Sequence, residues 1–466
     1  MVYAVRGDGR MKRTVSAILL AILLTSMLYS AFKIMPAEAA GTIYIRADGS
    51  IDPPTPGIAT ADNITYTFTY NIYDSIVVER DNIVVDGGGY TVQGTGSGTG
   101  LSLSGRSNVT IKSITINAFY YGIWLEYSSN SSISGNNITA NNEYGIRLNY
   151  SSGNSISGNT MANNGGGIGL WFSSNYNSIS GNNITANTYC GIVLFYSSNY
   201  NSISGNNITA NNYYGIVLSS SSDSSISGNN ITNNYYGIWL EYSSSNSIFH
   251  NSFVNNINCL VISSVNVWDD GYPSGGNYWS NYTGVDLHSG SGQDETGSDG
   301  IGDTFQVIDG NNVDHYPLMA PFNTFDAGTW NGTAYNVDVV SNSTVSGFHF
   351  NPEEGSFLKF NVTGEEGTVG FCRVTIPKGL LWVEDGWTVY AGEESVNCTI
   401  IPDNDYTYLY FTYNHSTKAI VIQGTHVIPE SPSFLILSPL FMIATLLAMA
   451  ICKKRKKFHS KSLASG

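Results

Sequence analysis

The sequence predicts an all-β protein: a right-handed parallel β-helix of about 23 residues per rung, then an antiparallel β-sandwich and one C-terminal transmembrane helix. Three observations carry this reading: an internal repeat, a composition rich in turn formers, and a single apolar stretch followed by basic residues. Only 12% of the 466 residues are charged, about half the usual share, while Gly numbers 50 and Tyr 31. A 12% aromatic content excludes a disordered chain. The dominance of Asn, Gly, Ser, Thr and Tyr excludes a helical bundle.

The repeat decides the fold. Ile-Ser-Gly-Asn begins at Ile133, Ile156, Ile179, Ile203 and Ile226, and Ile248-Phe249-His250-Asn251 continues it. Gly-Ile-x-Leu begins at Gly122, Gly145, Gly167, Gly191, Gly215 and Gly237. A unit this short, with two or three short strands, cannot bury its own apolar edge, so it stacks on copies of itself. Each rung then rises about 4.8 Å. Stacking predicts an inward column Ile123, Ile146, Ile168, Ile192, Ile216, Ile238, and a second from Leu125 to Leu240. It also predicts an Asn ladder Asn136, Asn159, Asn182, Asn206, Asn229, Asn251, and another Asn141, Asn163, Asn187, Asn211, Asn233, Asn255.

By alternation, two columns face outward. One is Trp124, Arg147, Gly169, Val193, Val217, Trp239; its neighbour is Glu126, Asn149, Trp171, Phe195, Ser219, Glu241. Trp124, Trp171, Phe195 and Trp239 are candidate platforms for sugar rings, with Glu126 and Arg147 beside them. Glu126 and Arg147 are one rung apart, the spacing of a surface ion pair. Val193 is expected to face solvent or ligand. Hydrolysis needs a carboxylate pair, and Glu126 and Glu241 stand five rungs apart, so they cannot form one.

The β-helix is assigned residues 41–322, including an acidic exit loop, and the sandwich residues 323–426. Strand-like runs in the latter cover 334–340, 356–362, 370–376, 388–390, 396–400, 406–413 and 419–423. Cys372 and Cys398 are its only cysteines and form a candidate disulfide; His349 and His415 look isolated at the surface.

The ends place the chain in a cell. Arg10, Lys12 and Arg13 precede an apolar run and Ala37-Glu38-Ala39-Ala40, so residues 1–40 read as a signal peptide. After a linker, 427–433, the stretch 434–452 is almost wholly apolar and long enough to span a bilayer. The basic tail 453–466 follows, which puts the C-terminus in the cytoplasm and residues 41–432 outside. That exterior part holds nine basic against 33 acidic residues, a poor surface for nucleic acid. It carries 14 Asn-x-Ser/Thr sequons; Asn63, Asn108, Asn137, Asn281, Asn331, Asn342, Asn361, Asn397 and Asn414 are the candidate glycosylation sites.

Three resemblances add to this. The openings Ile43–Gly49 and Ile83–Gly89, the repeats, and the segment from Gly275-Gly276-Asn277-Tyr278-Trp279 to Tyr316-Pro317-Leu318 resemble the NosD-like and related CASH-type β-helix proteins common on archaeal surfaces. That resemblance implies the fold, and activities ranging from adhesion to polysaccharide cleavage and copper-site maturation. Copper would want clustered His, Cys or Met, whereas Met161, Cys190, His250 and Cys259 are scattered, so copper is not expected. Pro429-Glu430-Ser431 resembles the start of Pro-Glu-Phe sorting tails, with Ser431 in place of Phe. Asp299-Gly300-Ile301-Gly302-Asp303 resembles half of a thrombospondin type 3 calcium loop, which makes Glu295, Asp299 and Asp303 candidate calcium ligands.

Together these features suggest a cell-surface-anchored repeat protein with a structural or binding role, its candidate partners being the membrane, glycans and other surface proteins. The alternative is a carbohydrate-active enzyme, a polysaccharide hydrolase or lyase, or a NosD-like copper-site maturation factor.

Overall fold

The 23-residue period becomes three parallel sheets, because each repeat supplies one six-residue strand and two three-residue strands. The computed structural model describes residues 41–256, 259–384 and 386–428. The sequence-assigned signal peptide, membrane span and basic tail lie outside the described residues. The described chain divides into two units. The first takes the chain up to Trp268 together with Val307–Val313; the second takes Asp269–Gln306 and the chain from Asp314 onward.

In the first unit, a wide sheet runs through Tyr121–Glu126, Tyr144–Asn149, Gly166–Trp171, Cys190–Phe195, Tyr214–Ser219 and Tyr236–Glu241 to Leu260–Ile262. Its register pairs Ile123 with Ile146, then Ile168, Ile192, Ile216 and Ile238, and all six are fully buried. One narrow sheet stacks Ile133, Ile156, Ile179, Ile203, Ile226 and Ile248. The other stacks Ile138, Met161, Ile184, Ile208, Ile231 and Phe253. At the N-terminal end Ile51–Asp52 turns back antiparallel on Tyr44–Ile45, and Ile58–Ala59 on Thr67–Phe68. These reversals close edges that would otherwise template pairing with another chain.

The Asn columns lock the corners. Asn159 Nδ2 donates to Asn182 Oδ1 at 3.0 Å and to Ile133 O at 2.9 Å, and its backbone N–H donates to the same Asn182 oxygen at 3.0 Å. The pattern repeats from Asn136 to Asn251. The left-handed residue of this corner is the preceding glycine, for example Gly158 at φ 61°, and not the Asn itself. In the second ladder the stacked residues are Asn141, Asn164, Asn187, Asn211, Asn234 and Asn256. Asn163, Asn233 and Asn255, expected there, stand one residue earlier, at the left-handed position that Ala140, Ala186 and Ala210 fill in other rungs. A third ladder, through Asn154, Asn177 and Asn201, and a Ser column from Ser128 to Ser264 complete the corners.

The second unit is built of antiparallel sheets, two of them five-stranded. One orders Phe322–Trp330, Thr333–Ser341, Val369–Pro377, Tyr406–Asn414 and Cys398–Pro402; the other orders Thr344–Phe350, Phe357–Thr363, Lys418–Gln423, Thr388–Ala391 and Glu394–Val396. Val339, Val374, Leu409 and Phe411 of the first share one apolar core with Leu358, Phe360, Ile420 and Ile422 of the second. The acidic segment 269–306 packs within this unit instead of extending the rungs. One tie is Arg373, fully buried on Val369–Pro377, which donates to Asp299 O at 2.6 Å and to Pro273 O, with its guanidinium over the Tyr408 ring.

Cys372 and Cys398 are free thiols. Both pair with Phe411, from opposite sides of its strand, so they stand about two strand spacings apart, near 9.6 Å, beyond the reach of a disulfide. His415 is buried, not superficial: its ring bonds Ser343 Oγ at 2.8 Å and Thr368 Oγ1. A hydroxyl occupies the place a triad carboxylate would take, which makes this a structural network. His349 is exposed and paired with Glu354.

Candidate functional site

Outward residues of the wide sheet fall in the columns expected from the sequence. Trp124 pairs with Arg147, then Gly169, Val193, Val217 and Trp239, and Glu126 leads through Asn149, Trp171, Phe195 and Ser219 to Glu241. Their burial is not as expected. Trp171 is 4% exposed, Trp239 1% and Val193 2%, while Trp124, Phe195, Glu126 and Arg147 are half-buried. Trp171, Val193 and Trp239 form a second apolar cluster on the outside of the sheet with Tyr121, Tyr144 and Cys190, and Trp124 and Phe195 pack against it. Trp171 folds back over Gly169, where a Cβ would stand 2.9 Å from its Nε1. It meets Phe195 edge-on at 4.7 Å. Its ring face is therefore not offered to a sugar.

Arg147 does not pair with Glu126. Its guanidinium lies 4.6 Å from the Trp171 ring and 5.2 Å from Trp124, and it donates to Tyr121 OH at 3.0 Å and Asn149 Oδ1 at 3.2 Å. The cation is held by ring quadrupoles and neutral acceptors. Glu143, not among the site residues expected from the sequence, stands near it and takes a long 3.5 Å bond from Tyr120 OH. Burial raises the affinity of Glu143 for its proton, and Arg147 and Tyr120 oppose that. Cys190 is a buried thiol against Tyr144, its pKa pushed up to about 12 by burial. Such a thiol is inert.

The accessible aromatic feature is the next column along, also missed from the sequence. Tyr127, Tyr150, Phe172 and Tyr196 follow the outward strands at the left-handed turn position, with φ of 50°, 49°, 54° and 56°. Their rings stack at 4.9, 5.3 and 5.1 Å with planes within 16° of parallel. Ser220 interrupts the ladder and Tyr242, 63% exposed, resumes it. The opposite edge of the sheet carries exposed Tyr189, Tyr213 and Tyr235. The period that revealed the Ile columns runs through Tyr127 and Tyr150 as well, and was the signal available.

The candidate metal ligands do not converge. Asp303 accepts from the backbone N–H of Leu287 and His288 and bonds His288 Nδ1 at 2.9 Å; donation from His288 holds its carboxyl below the usual range, against burial. Asp299 is buried and takes Ile301 N–H at 3.0 Å, while Glu295 is exposed on a hairpin with His288–Ser289. Each of the two aspartates is already occupied by donors of the protein itself. Among the described residues no three His, Cys, Asp or Glu side chains come together as a metal site.

A parallel β-helix with an aromatic outer face and no carboxylate pair on it defines a repeat scaffold. Residues 75–284 match the family model described as Periplasmic copper-binding protein (NosD). No curated protein matches the chain. Among solved structures, the periplasmic alginate epimerase AlgG is 17% identical, with a TM-score of 0.31, covering 42% of this chain and 51% of its own. The chain thus spans about half the length of that epimerase. The bacteriophage CBA120 tailspike protein 2 enzymatically active domain is 12% identical, at 0.35, covering 78% of this chain and 75% of its own. The Azotobacter vinelandii mannuronan C-5 epimerase AlgE4 A-module is 14% identical, at 0.29, covering 42% and 74%.

The copper in the family's description was tested against the side chains. Met161 is sealed in the core column, Cys190 lies against Tyr144, and His250 sits at a left-handed turn edge-on to Phe249. These donors belong to different faces, so Met161, Cys190 and His250 do not form a copper centre with one another.

Proposed function

We propose that the protein is a cell-surface scaffold that binds glycans along the tyrosine-edged outer face of its wide sheet. The observation that carries this reading is the stacked aromatic ladder from Tyr127 to Tyr196, exposed at Tyr127 and Tyr150 and resumed by exposed Tyr242, beside a face with no carboxylate pair. A tyrosine offers apolar ring area and a hydroxyl together, which suits sugars. A stack of rungs offers many equivalent positions in line, which suits an extended polymer. Anchorage through 434–452, with 453–466 in the cytoplasm, belongs to the same proposal, and so does glycosylation. Asn63, Asn108, Asn137, Asn281, Asn331, Asn342, Asn361, Asn397 and Asn414 are all exposed, which supports it. The test is binding of the full chain to an array of neutral and acidic polysaccharides, with Tyr127→Ala/Tyr150→Ala as the control. Loss of signal in the control supports the site, and equal signal contradicts it.

A carbohydrate-active enzyme is the second reading, favoured by one observation. Glu143 is a half-buried carboxyl with raised proton affinity, within reach of a tyrosine and an arginine. That is a plausible single acid–base group, but it has no carboxylate partner on the sheet.

A further inference from the structure

Two adjacent outward columns can be followed rung by rung. They read Glu126-Tyr127, Asn149-Tyr150, Trp171-Phe172, Phe195-Tyr196, Ser219-Ser220 and Glu241-Tyr242. In one of these six rungs both positions are small. Ser220 holds the same left-handed conformation as the aromatic residues, φ 52°, and its N–H bonds Glu241 O at 2.9 Å, so the rung itself is regular. What is missing there is one ring.

The missing ring leaves a notch. Tyr196 and Tyr242 stand two rungs apart, about 9.6 Å. A ring placed midway would lie about 5 Å from each, the separation at which Tyr127 and Tyr150 stack, 4.9 Å. Tyr196 lies 5° from parallel with Phe172 at 5.1 Å, so its other ring face turns toward the gap, and Tyr242 borders the gap on the far side. The floor is polar: the Ser219 and Ser220 hydroxyls, with Glu241 at the side. Tyr242 is 63% exposed and Ser220 is exposed, so the notch is open to solvent.

We propose that the Ser219–Ser220 notch is a subsite for one pyranose ring of a neutral glycan. The inference rests on the glycan-binding reading above and assigns it a place. A pyranose is flat, with C–H groups on its faces and hydroxyls at its rim. Its faces would rest on Tyr196 and Tyr242, and its rim hydroxyls would meet the two serines and donate to Glu241. Glu241 and the strongly acidic exterior disfavour a uronate, whose own carboxylate would be repelled. The notch therefore selects against acidic sugars.

The test uses the full chain in detergent, with cellohexaose, laminarihexaose and mannohexaose as neutral probes and hexagalacturonate as the acidic one, read by calorimetry. Ser220→Tyr fills the notch with the residue that four equivalent rungs already carry, so the variant should fold with a melting temperature no lower than the parent's. Binding of a neutral probe by the parent, weakened roughly tenfold or more by Ser220→Tyr and by Tyr242→Ala, supports the subsite. Neutral-probe binding that survives Ser220→Tyr overturns the notch but leaves the glycan-binding reading standing. No binding of any probe by the parent overturns both, and tighter binding of hexagalacturonate overturns the selectivity.

Discussion

Tyr127 and Tyr150 lie one rung apart with ring centroids 4.9 Å apart and planes 7° from parallel, each on a left-handed backbone. Bulky residues seldom adopt that conformation. Here the turn imposes it on every rung, on Ser220 and Tyr242 as on the stacked rings. Tyr150→Ala removes contacts on both sides and should destabilise the protein by about 1–2 kcal/mol. Denaturant titration checks this; a change below a few tenths would mean that the ladder contributes no cohesion.

The Asn ladder predicts a sharper contrast. Asn182→Ala leaves the backbone N–H and the Nδ2 of Asn159 without their acceptor and Ile156 O without its donor, all buried. The cost should reach at least about 2 kcal/mol. Its neighbour Asn183 is exposed, and Asn183→Ala should cost under about 0.5 kcal/mol. Equal costs in urea titration would contradict the ladder's role.

On the wide sheet, Ile192→Asp and Val193→Asp should both destabilise by several kcal/mol, since each would bury an unpaired carboxylate. Limited proteolysis should open both variants near residues 168–216. Protection of the Val193 variant would show that the outer cluster is loose.

That second site marks where the sequence stopped being legible. The inward Ile and Leu columns were readable because they repeat with one period and one residue type. Val193 was expected to face solvent because alternation distinguishes inside from outside, not covered from bare. Its cover is the outer cluster it shares with Trp171 and Tyr214, residues many positions away whose direction no local pattern gives. Asn163 and Asn164 form a doublet, and which one stacks depends on which takes the left-handed corner. The strands Phe322–Trp330 and Thr344–Phe350 were missed, and Cys372 and Cys398 stood as a candidate disulfide, because sheet order is not written in spacing.

The second unit should be more stable in mild acid. Asp314 is fully buried, and burial pushes its pKa up to about 7, although the Asn277 N–H and Trp279 indole donate to it. An unfolded Asp titrates near 3.9. Between about pH 4 and 7 the folded state holds the extra proton, so stability falls as pH rises through that window and levels off above it. Melts of the parent and Asp314→Asn should show a lower melting temperature at pH 8 than at pH 5 in the parent and a flatter profile in the variant. Parallel profiles would contradict this assignment.

Membrane attachment is tested by deleting residues 434–466, which should release the exterior part into the medium. Retention in the membrane fraction after the deletion would contradict the proposed anchor.

The proposed function has the outer face binding glycans without cleaving them. It is tested most directly by incubating the full chain with one polysaccharide that it retains, then measuring bound polymer and released products together. Saturable binding is expected, with no new reducing ends or unsaturated sugars and no effect of Glu143→Gln on either. Products that accumulate with time and disappear in Glu143→Gln would contradict it and make the protein an enzyme.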